Sequence, residues 1–331
     1  MQPLVDSGAR IQLVRGPLPT TDEVDRLVAE IGNETPRTLV AVGGGLVIDL
    51  MKVVGLSMAT NLRAGEIVTG GADVAAELPF MVAVPTTAGS GAERTPFAVL
   101  YRDGLKYSID DQRLLPSRAI LDPTLSRSAP KRVAAAAALD AMAHCVESIW
   151  ACRSTADSHV VASAALARLS RNIELAVSDG VEESRDELLY AASDAGEAIA
   201  RTRTTAAHAL SYHLTSEYQI AHGHAVALTL GHLAAYNESV DESSLVDARG
   251  VDQVRSSVRA ACQIVGVSDG GQLTIRLREL MESMGLASEV DRAAGKTVDR
   301  DLWVSGVNTE RLSNNPRALG EADLLRLVEA A

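Results

Sequence analysis

A chain of 331 residues is longer than one small core requires and fits two domains of ordinary size, and its 47% hydrophobic residues supply the apolar surface to fold them. Aromatic residues make up only 3%, so Ala, Val, Leu and Ile must fill that core. The formal net charge of −12 argues against general nucleic-acid binding, which needs clustered Lys and Arg, yet leaves room for a local basic pocket that takes one small anion.

Three cysteines, Cys145, Cys152 and Cys262, contain no CxxC pair and leave an odd count, which argues against a disulfide framework and against a Cys-based zinc site. The N-terminus lacks a basic-then-apolar signal pattern. No uninterrupted apolar run reaches membrane-spanning length, so a cytoplasmic protein without membrane or nucleic-acid partners is expected.

In chain order, Ile11 to Val14 reads as a strand that leads into the loop PLPTTDEV. Thr38 to Val42 is a short β-branched, apolar run that meets Gly43, Gly44 and Gly45, and from Leu46 to Leu56 the pattern turns helical. A buried strand, a glycine turn and a helix form one βα unit of a parallel sheet. Phe80 to Val84 is a second strand, opening at Pro85 into TTAGSGAE. Ala98 to Tyr101 and Lys106 to Ser108 flank an Asp-Gly turn and predict a hairpin. Ala119 to Leu121 is a further short strand, closed by Asp122-Pro123. From about Ser126 strand signals fade and Ala/Leu-rich helical patterns run to the end; Val240 to Asp252 is an acidic surface loop with a helix start. The expected organisation is an α/β domain over 1–125, an all-helical domain over 126–331, and a cleft between them.

Four of the seven histidines lie between His208 and His224. In LDAMAHCVE, Asp140 and His144 stand at i and i+4, which puts both side chains on one helix face. His208 and His222 follow. Any one of these histidines alone reads as a satisfied core or loop residue. Together, one carboxylate and three imidazoles can hold a divalent transition metal and leave a position open to a substrate oxygen; such ligands suit iron(II) or zinc, and spacing does not separate the two.

GGGLVIDLMK, PTTAGSGAE, Asp122-Pro123, DAMAHCVES and the His208/His222 pair with its HG resemble the signatures of iron-containing alcohol dehydrogenases, in that family's order over roughly residues 35–235. The 14-residue step from His208 to His222 matches as well. The resemblance implies the dehydroquinate synthase-like fold shared by that family, with a truncated Rossmann-like, nucleotide-binding first domain and a metal-binding and substrate second domain. It implies Asp140, His144, His208 and His222 as metal ligands. It also implies that Gly43, Gly44 and Gly45 cradle the diphosphate of NADH or NADPH, at a helix N-terminus whose free N–H groups favour an anion. Asp49 and Lys52 belong to the same motif, and the hydroxyls of Thr86, Thr87 and Ser90 correspond to contacts with diphosphate or nicotinamide ribose. Family members carry further βα elements before the glycine turn; here Gly43 comes early, which implies a reduced adenosine half or a start that lies upstream.

TPFAVLYRDGLKYS, RTTAAHALSY, HGHAVALTLG and VNTERLSNNPR are similar to one branch, the phosphonoacetaldehyde reductases of phosphonate biosynthesis. Where broader members have a second His four residues after the first, this chain has Tyr212, with His213 beside it. The branch implies reduction of 2-phosphonoacetaldehyde to 2-hydroxyethylphosphonate. A phosphonate needs cationic partners, and Arg94, Lys106 and Arg203 lie in or beside the motif segments. Arg311 and Arg317 are expected instead to tie the helical domain together. The implied chemistry is metal-assisted hydride transfer to an aldehyde, with His213, Tyr212 or His224 relaying the proton. A homodimer is one assembly this reading admits. Two rival readings are a dehydroquinate-synthase-like cyclase and a non-redox binding protein descended from the same fold.

Overall fold

The computed structural model describes residues 8–32, 34–71 and 76–331, apart from the side chains of Glu310 and Arg311. Two compact units divide the chain: Met1–Pro85 with Pro96–Ile120, and Thr86–Thr95 with Leu121–Ala331.

In the first unit, helix α1 (Thr21–Ile31) starts at Thr20, whose hydroxyl accepts from the Glu23 amide. Strand β1 (Thr38–Gly43) runs into α2 (Gly45–Thr60), and β2 (Phe80–Pro85) lies parallel to β1, in register from Thr38 opposite Phe80 to Gly43 opposite Pro85. Strands β3 (Phe97–Arg102) and β4 (Leu105–Asp110) form the expected hairpin, with Asp103 and Gly104 both at positive φ as a type I′ turn requires. A two-residue β5 (Arg118–Ala119) joins the far side of β2, giving the order β1-β2-β5. Val24 and Leu27 of α1, Leu50, Val53 and Leu56 of α2, and Ala98 and Leu100 of β3 make the core.

The strand expected at Ile11 to Val14 does not form. Side chains of α1 take the backbone groups that a ladder would use: the Leu13 carbonyl accepts from Arg26, and the Arg15 amide donates to Glu23. Asp49 and Lys52, expected in the cofactor motif, face β3 instead. The Asp49 carboxylate accepts from the Val99 amide at 3.0 Å, and the fully buried Lys52 ammonium donates to the Phe97 carbonyl at 2.7 Å and lies 3.6 Å from Asp49. Their role in the structure is to fasten α2 to the hairpin.

The second unit is helical: α3 (Lys131–Trp150), α4 (Ala156–Val177), α5 (Glu182–Thr202), α6 (Ala206–Tyr218), α7 (His222–Glu238), α8 (Val251–Val265), α9 (Gly270–Ser283) and three shorter helices, α10 (Val290–Ala294), α11 (Arg300–Ser305) and α12 (Glu321–Ala330). Helix α3 is the axis. It is long and apolar enough to cross a membrane, but 83% of its most apolar stretch is buried among its neighbours. Ala135, Ala138, Leu139, Met142, Val146 and Trp150 are fully buried, and alanines on several faces let α4, α5 and α7 approach closely.

The loop Thr86–Thr95 packs with these helices. A Cβ on Gly91 would lie 2.4 Å from the Gly196 Cα on α5, so both residues must lack a side chain for the loop to seat there. The glycines of TTAGSGAE therefore serve helix packing as well as the turn.

The Lys52 arrangement gives a direct stability test. Asp49→Ala removes the carboxylate that faces a fully buried ammonium, and is expected to cost about 3–5 kcal/mol of unfolding free energy. Adding Lys52→Met should recover most of it. Urea denaturation checks both; a single variant as stable as wild type would show that the pair does not hold the unit together.

Candidate metal centre

Asp140 and His144 lie one turn apart on α3, as their spacing predicts, and α6 and α7 bring His208 and His222 to the same place. Asp140 Oδ1 is the hub. The Nε2 atoms of His208, His144 and His222 lie 3.4, 3.6 and 3.9 Å from it. Asp140, His144 and His208 are buried, each offering a ligand atom within 4.8 Å of the others; His222 stands at the rim, a third exposed. The His144 and His208 rings stack with centroids 4.8 Å apart, and His222 meets His208 edge-on at 5.4 Å.

A divalent ion fits this set. Ligands held at ~2.1 Å by one small ion stand ~3.4 Å apart in tetrahedral directions, close to the 3.4–3.9 Å that separate Asp140 Oδ1 from the three imidazole nitrogens. Asp140 Oδ1 and His208 Nε2 are buried with no hydrogen-bond partner, which a protein interior does not tolerate without compensation. His144 Nδ1 is likewise buried without a hydrogen-bond partner, whereas the Nδ1 atoms of His208 and His222 meet Glu147 and Ser211. Ser211 Oγ donates to the His208 carbonyl, so the His222 Nδ1–H donates to Ser211 Oγ at 3.3 Å and leaves Nε2 facing Asp140. Iron(II) or zinc would suit one carboxylate and three imidazoles equally.

Local packing explains the HG of the sequence. Gly223 sits in the first turn of α7, where a Cβ would fall 2.0 Å from the Ala136 carbonyl and 2.5 Å from Asp140 Cβ. Only a glycine lets α7 lie against α3 at the hub and deliver His222.

Sequence reasoning missed Glu147. It lies on α3 at i+3 from His144 and i+7 from Asp140, fully buried, with one oxygen in a short contact to His208 Nδ1 and the other accepting from Thr205 Oγ1 at 2.7 Å and the Ala207 amide at 2.9 Å. The signal was present: a third ionisable residue on the ligand-bearing face of an otherwise apolar helix.

The remaining expected residues separate. Tyr212, one turn after His208 on α6, stacks on His222 with centroids 6.2 Å apart and 12° between planes. His213 turns instead toward Tyr218, and His224 Nε2 donates to the Ala287 carbonyl at 2.7 Å, two residues round the helix from His222. Of the three proton-relay candidates, Tyr212 is the one that stacks on a histidine facing Asp140. Gly43 ends β1, and Gly44 precedes the first turn of α2 with no side-chain cap. Gly43 pairs with Pro85, so the glycine turn follows β1 at the carboxyl edge of the sheet, where open α/β sheets bind ligands. Thr86 and Thr87 are half-buried, and Ser90 Oγ accepts from the Ala92 amide. Arg94 pairs with Glu197, Arg203 donates to the Ala200 carbonyl, and Lys106 lies on β4 opposite Tyr101. Arg317 stacks on Tyr236 and donates to its carbonyl, fastening the C-terminal motif to α7; the Arg311 side chain lies outside the described residues.

The model of the family "Iron-containing alcohol dehydrogenase" matches residues 2–123, and that of "Fe-containing alcohol dehydrogenase family, C-terminal" matches residues 134–331. The chain belongs to the iron-containing alcohol dehydrogenase family. It is 33% identical to the phosphonoacetaldehyde reductase of Streptomyces viridochromogenes over 324 residues, which cover 94% of this chain and 80% of that one. An iron-containing alcohol dehydrogenase from Thermotoga maritima superposes with a TM-score of 0.82 at 25% identity, covering 99% of this chain and 85% of that structure. The sulfoacetaldehyde reductase of Bifidobacterium kashiwanohense, solved in complex with NAD+, shares the fold with a TM-score of 0.85 at 24% identity over 99% of this chain and 86% of its own. As a family member this chain is a metal- and nicotinamide-dependent oxidoreductase.

Protonation decides how the ion enters. Burial resists the charge on Asp140, but the surrounding imidazoles outweigh it and hold the carboxyl well below its usual range. Burial pushes His144 down to about 4, so it is neutral at pH 7. Burial also works against a charged His208, yet Glu147 and Asp140 outweigh it and raise this ring to about 9. A metal binding to His208 Nε2 must therefore displace a proton below pH 9. Apparent affinity for zinc should rise with pH, about tenfold per unit from 7 toward 9, with about one proton released per ion. Calorimetry in buffers of different ionisation enthalpy reads that proton; an affinity unchanged from pH 7 to 9 would contradict the assignment.

Proposed function

We propose that this chain reduces a small anionic aldehyde to its alcohol, with 2-phosphonoacetaldehyde to 2-hydroxyethylphosphonate as the leading reaction. One observation carries the reading: the ligand set gathered on Asp140 stands in a chain 33% identical, over 94% of its length, to a phosphonoacetaldehyde reductase.

In this reading Asp140, His144, His208 and His222 hold the ion, and the Gly43 to Gly45 turn with Thr86, Thr87 and Ser90 receives the diphosphate of NADH or NADPH. When bound, the ion polarises the aldehyde oxygen as a Lewis acid and the reduced nicotinamide supplies the hydride. The chain's own part is to exclude water, fix the geometry and move one proton. Tyr212 Oη is the proton source we favour, because its ring is stacked on His222 while His213 and His224 are engaged elsewhere.

Arg203 is our candidate for the anionic end of the substrate. It caps α5, five residues before His208, with φ 63° and ψ 174°. That region is nearly confined to glycine and costs a residue with a side chain roughly 1–3 kcal/mol. Asn314 holds the turn in place, its Nδ2 donating to the Thr202 and Thr204 carbonyls at 2.9 and 3.0 Å. A strained residue so secured beside a ligand helix supports a role at the site.

Losing a charge-assisted contact to a phosphonate should cost about 1.5–3 kcal/mol, or about ten- to a hundredfold in kcat/KM. Arg203→Ala should show that loss on phosphonoacetaldehyde and leave propanal nearly untouched. Steady-state kinetics on both aldehydes decides it. Equal losses would make Arg203 structural, and a wild-type preference for propanal would remove the phosphonate reading.

A further inference from the structure

Glu147 is a carboxylate with no exposure to solvent, on the helix that carries two of the four ligands, and the chemistry proposed above gives it no part. Its hydrogen bonds define what it can do. One oxygen accepts from Thr205 Oγ1, the Ala207 amide and, at 3.4 Å, the His208 amide; the other meets His208 Nδ1. Thr205 Oγ1 is itself fixed by the Trp150 indole N–H at 3.0 Å. An ionised carboxylate has no proton to give, so the proton in the Glu147–His208 contact belongs to Nδ1. A metal ligand must give up the Nε2 proton, and with Nδ1–H held by Glu147 the ring's lone pair then lies on Nε2, which stands 3.4 Å from Asp140 Oδ1.

We propose that Glu147 is a positioning residue for the metal centre: it fixes His208 as the Nδ1–H tautomer, aims its Nε2 at the ion, and slows loss of the ion once bound. The inference rests on the metal-site reading of Asp140, His144, His208 and His222. The same carboxylate also accepts from two amides at the start of α6, so a purely structural role, as a buried cap on that helix, is the competing explanation. The two roles differ in what they move. A cap sets the stability of the metal-free chain. A positioning carboxylate sets how tightly the ring holds the metal, and outer partners of this kind are worth about ten- to a hundredfold in metal affinity.

The experiment uses the full chain loaded with zinc, as wild type, Glu147→Gln and Glu147→Ala. The rate at which excess chelator strips the zinc is followed at fixed pH, beside thermal melts of the metal-free proteins. Both variants are expected to release zinc about ten- to a hundredfold faster than wild type. In zinc-loaded wild type with 15N-labelled histidine, His208 should show a protonated Nδ1 and a metal-bound Nε2. Wild-type release rates in Glu147→Gln, with only the metal-free melt lowered, would make Glu147 a helix cap and overturn the proposal. Zinc on Nδ1 of His208 would overturn it without any variant, so the spectrum decides even where a substitution prevents folding. Wild type that takes up no zinc would instead remove the metal-site reading, and this inference with it.

Discussion

Asp140 Oδ1 lies inside the helical unit with three imidazole nitrogens around it and no hydrogen-bond donor, and a carboxylate so placed requires a compensating positive charge. A proton on His208 can supply part of that charge, and a divalent ion supplies it with better geometry. The surrounding sequence follows from this demand. The alanines of α3 let neighbouring helices close in, Gly223 lets α7 reach the hub, and the hydroxyl of Ser211 turns His222 toward it. Each of these contacts adds little stability by itself. Together they hold four donors at separations that a single small cation can bridge.

A second layer of polar contacts secures the turn between α5 and α6. Trp150 and Glu147 fix Thr205, Thr202 bonds to Ser148 across α3, and Asn314 gathers the Thr202 and Thr204 carbonyls. The next residue, Asn315, exchanges amide hydrogen bonds with Asn237 near the end of α7. The paired asparagines of the C-terminal motif therefore clamp two of the elements that deliver histidines. This gives a physical reason for a polar NNP sequence in an otherwise apolar unit: buried amides can hold strained backbone only where all their groups find partners.

The gathering of Asp140, His144, His208 and His222 was legible in the sequence because these residues sit on helices. Spacing i to i+4 on one helix survives folding unchanged, and the step from His208 to His222 spans one helix, one turn and the start of the next. The hairpin was legible for a similar reason, since an Asp-Gly turn is local chemistry. What depended on distant partners was not. Asp49 and Lys52 sit in a motif with the glycine turn, but their partners are backbone groups of β3 some fifty residues on. The Ile11 to Val14 segment has a strand's composition and no ladder to join, because α1 side chains take its backbone groups. The loop Thr86–Thr95 follows a strand in sequence and packs with the helices through a glycine-to-glycine contact that neither partner announces. Glu147 stood within a quoted motif, and only its burial and its bond to His208 reveal its weight.

The central claim is that one ion binds at the point where α3, α6 and α7 meet. Elemental analysis of purified protein tests it most directly, with wild type compared against His208→Ala and His222→Ala. Wild type should carry close to one iron or zinc per chain. His208→Ala should lose nearly all of it, since it removes a buried ligand and leaves Asp140 short of a partner, while His222→Ala, at the exposed rim, should lose it in part. Full retention of metal in both variants would place the ion elsewhere and contradict the account.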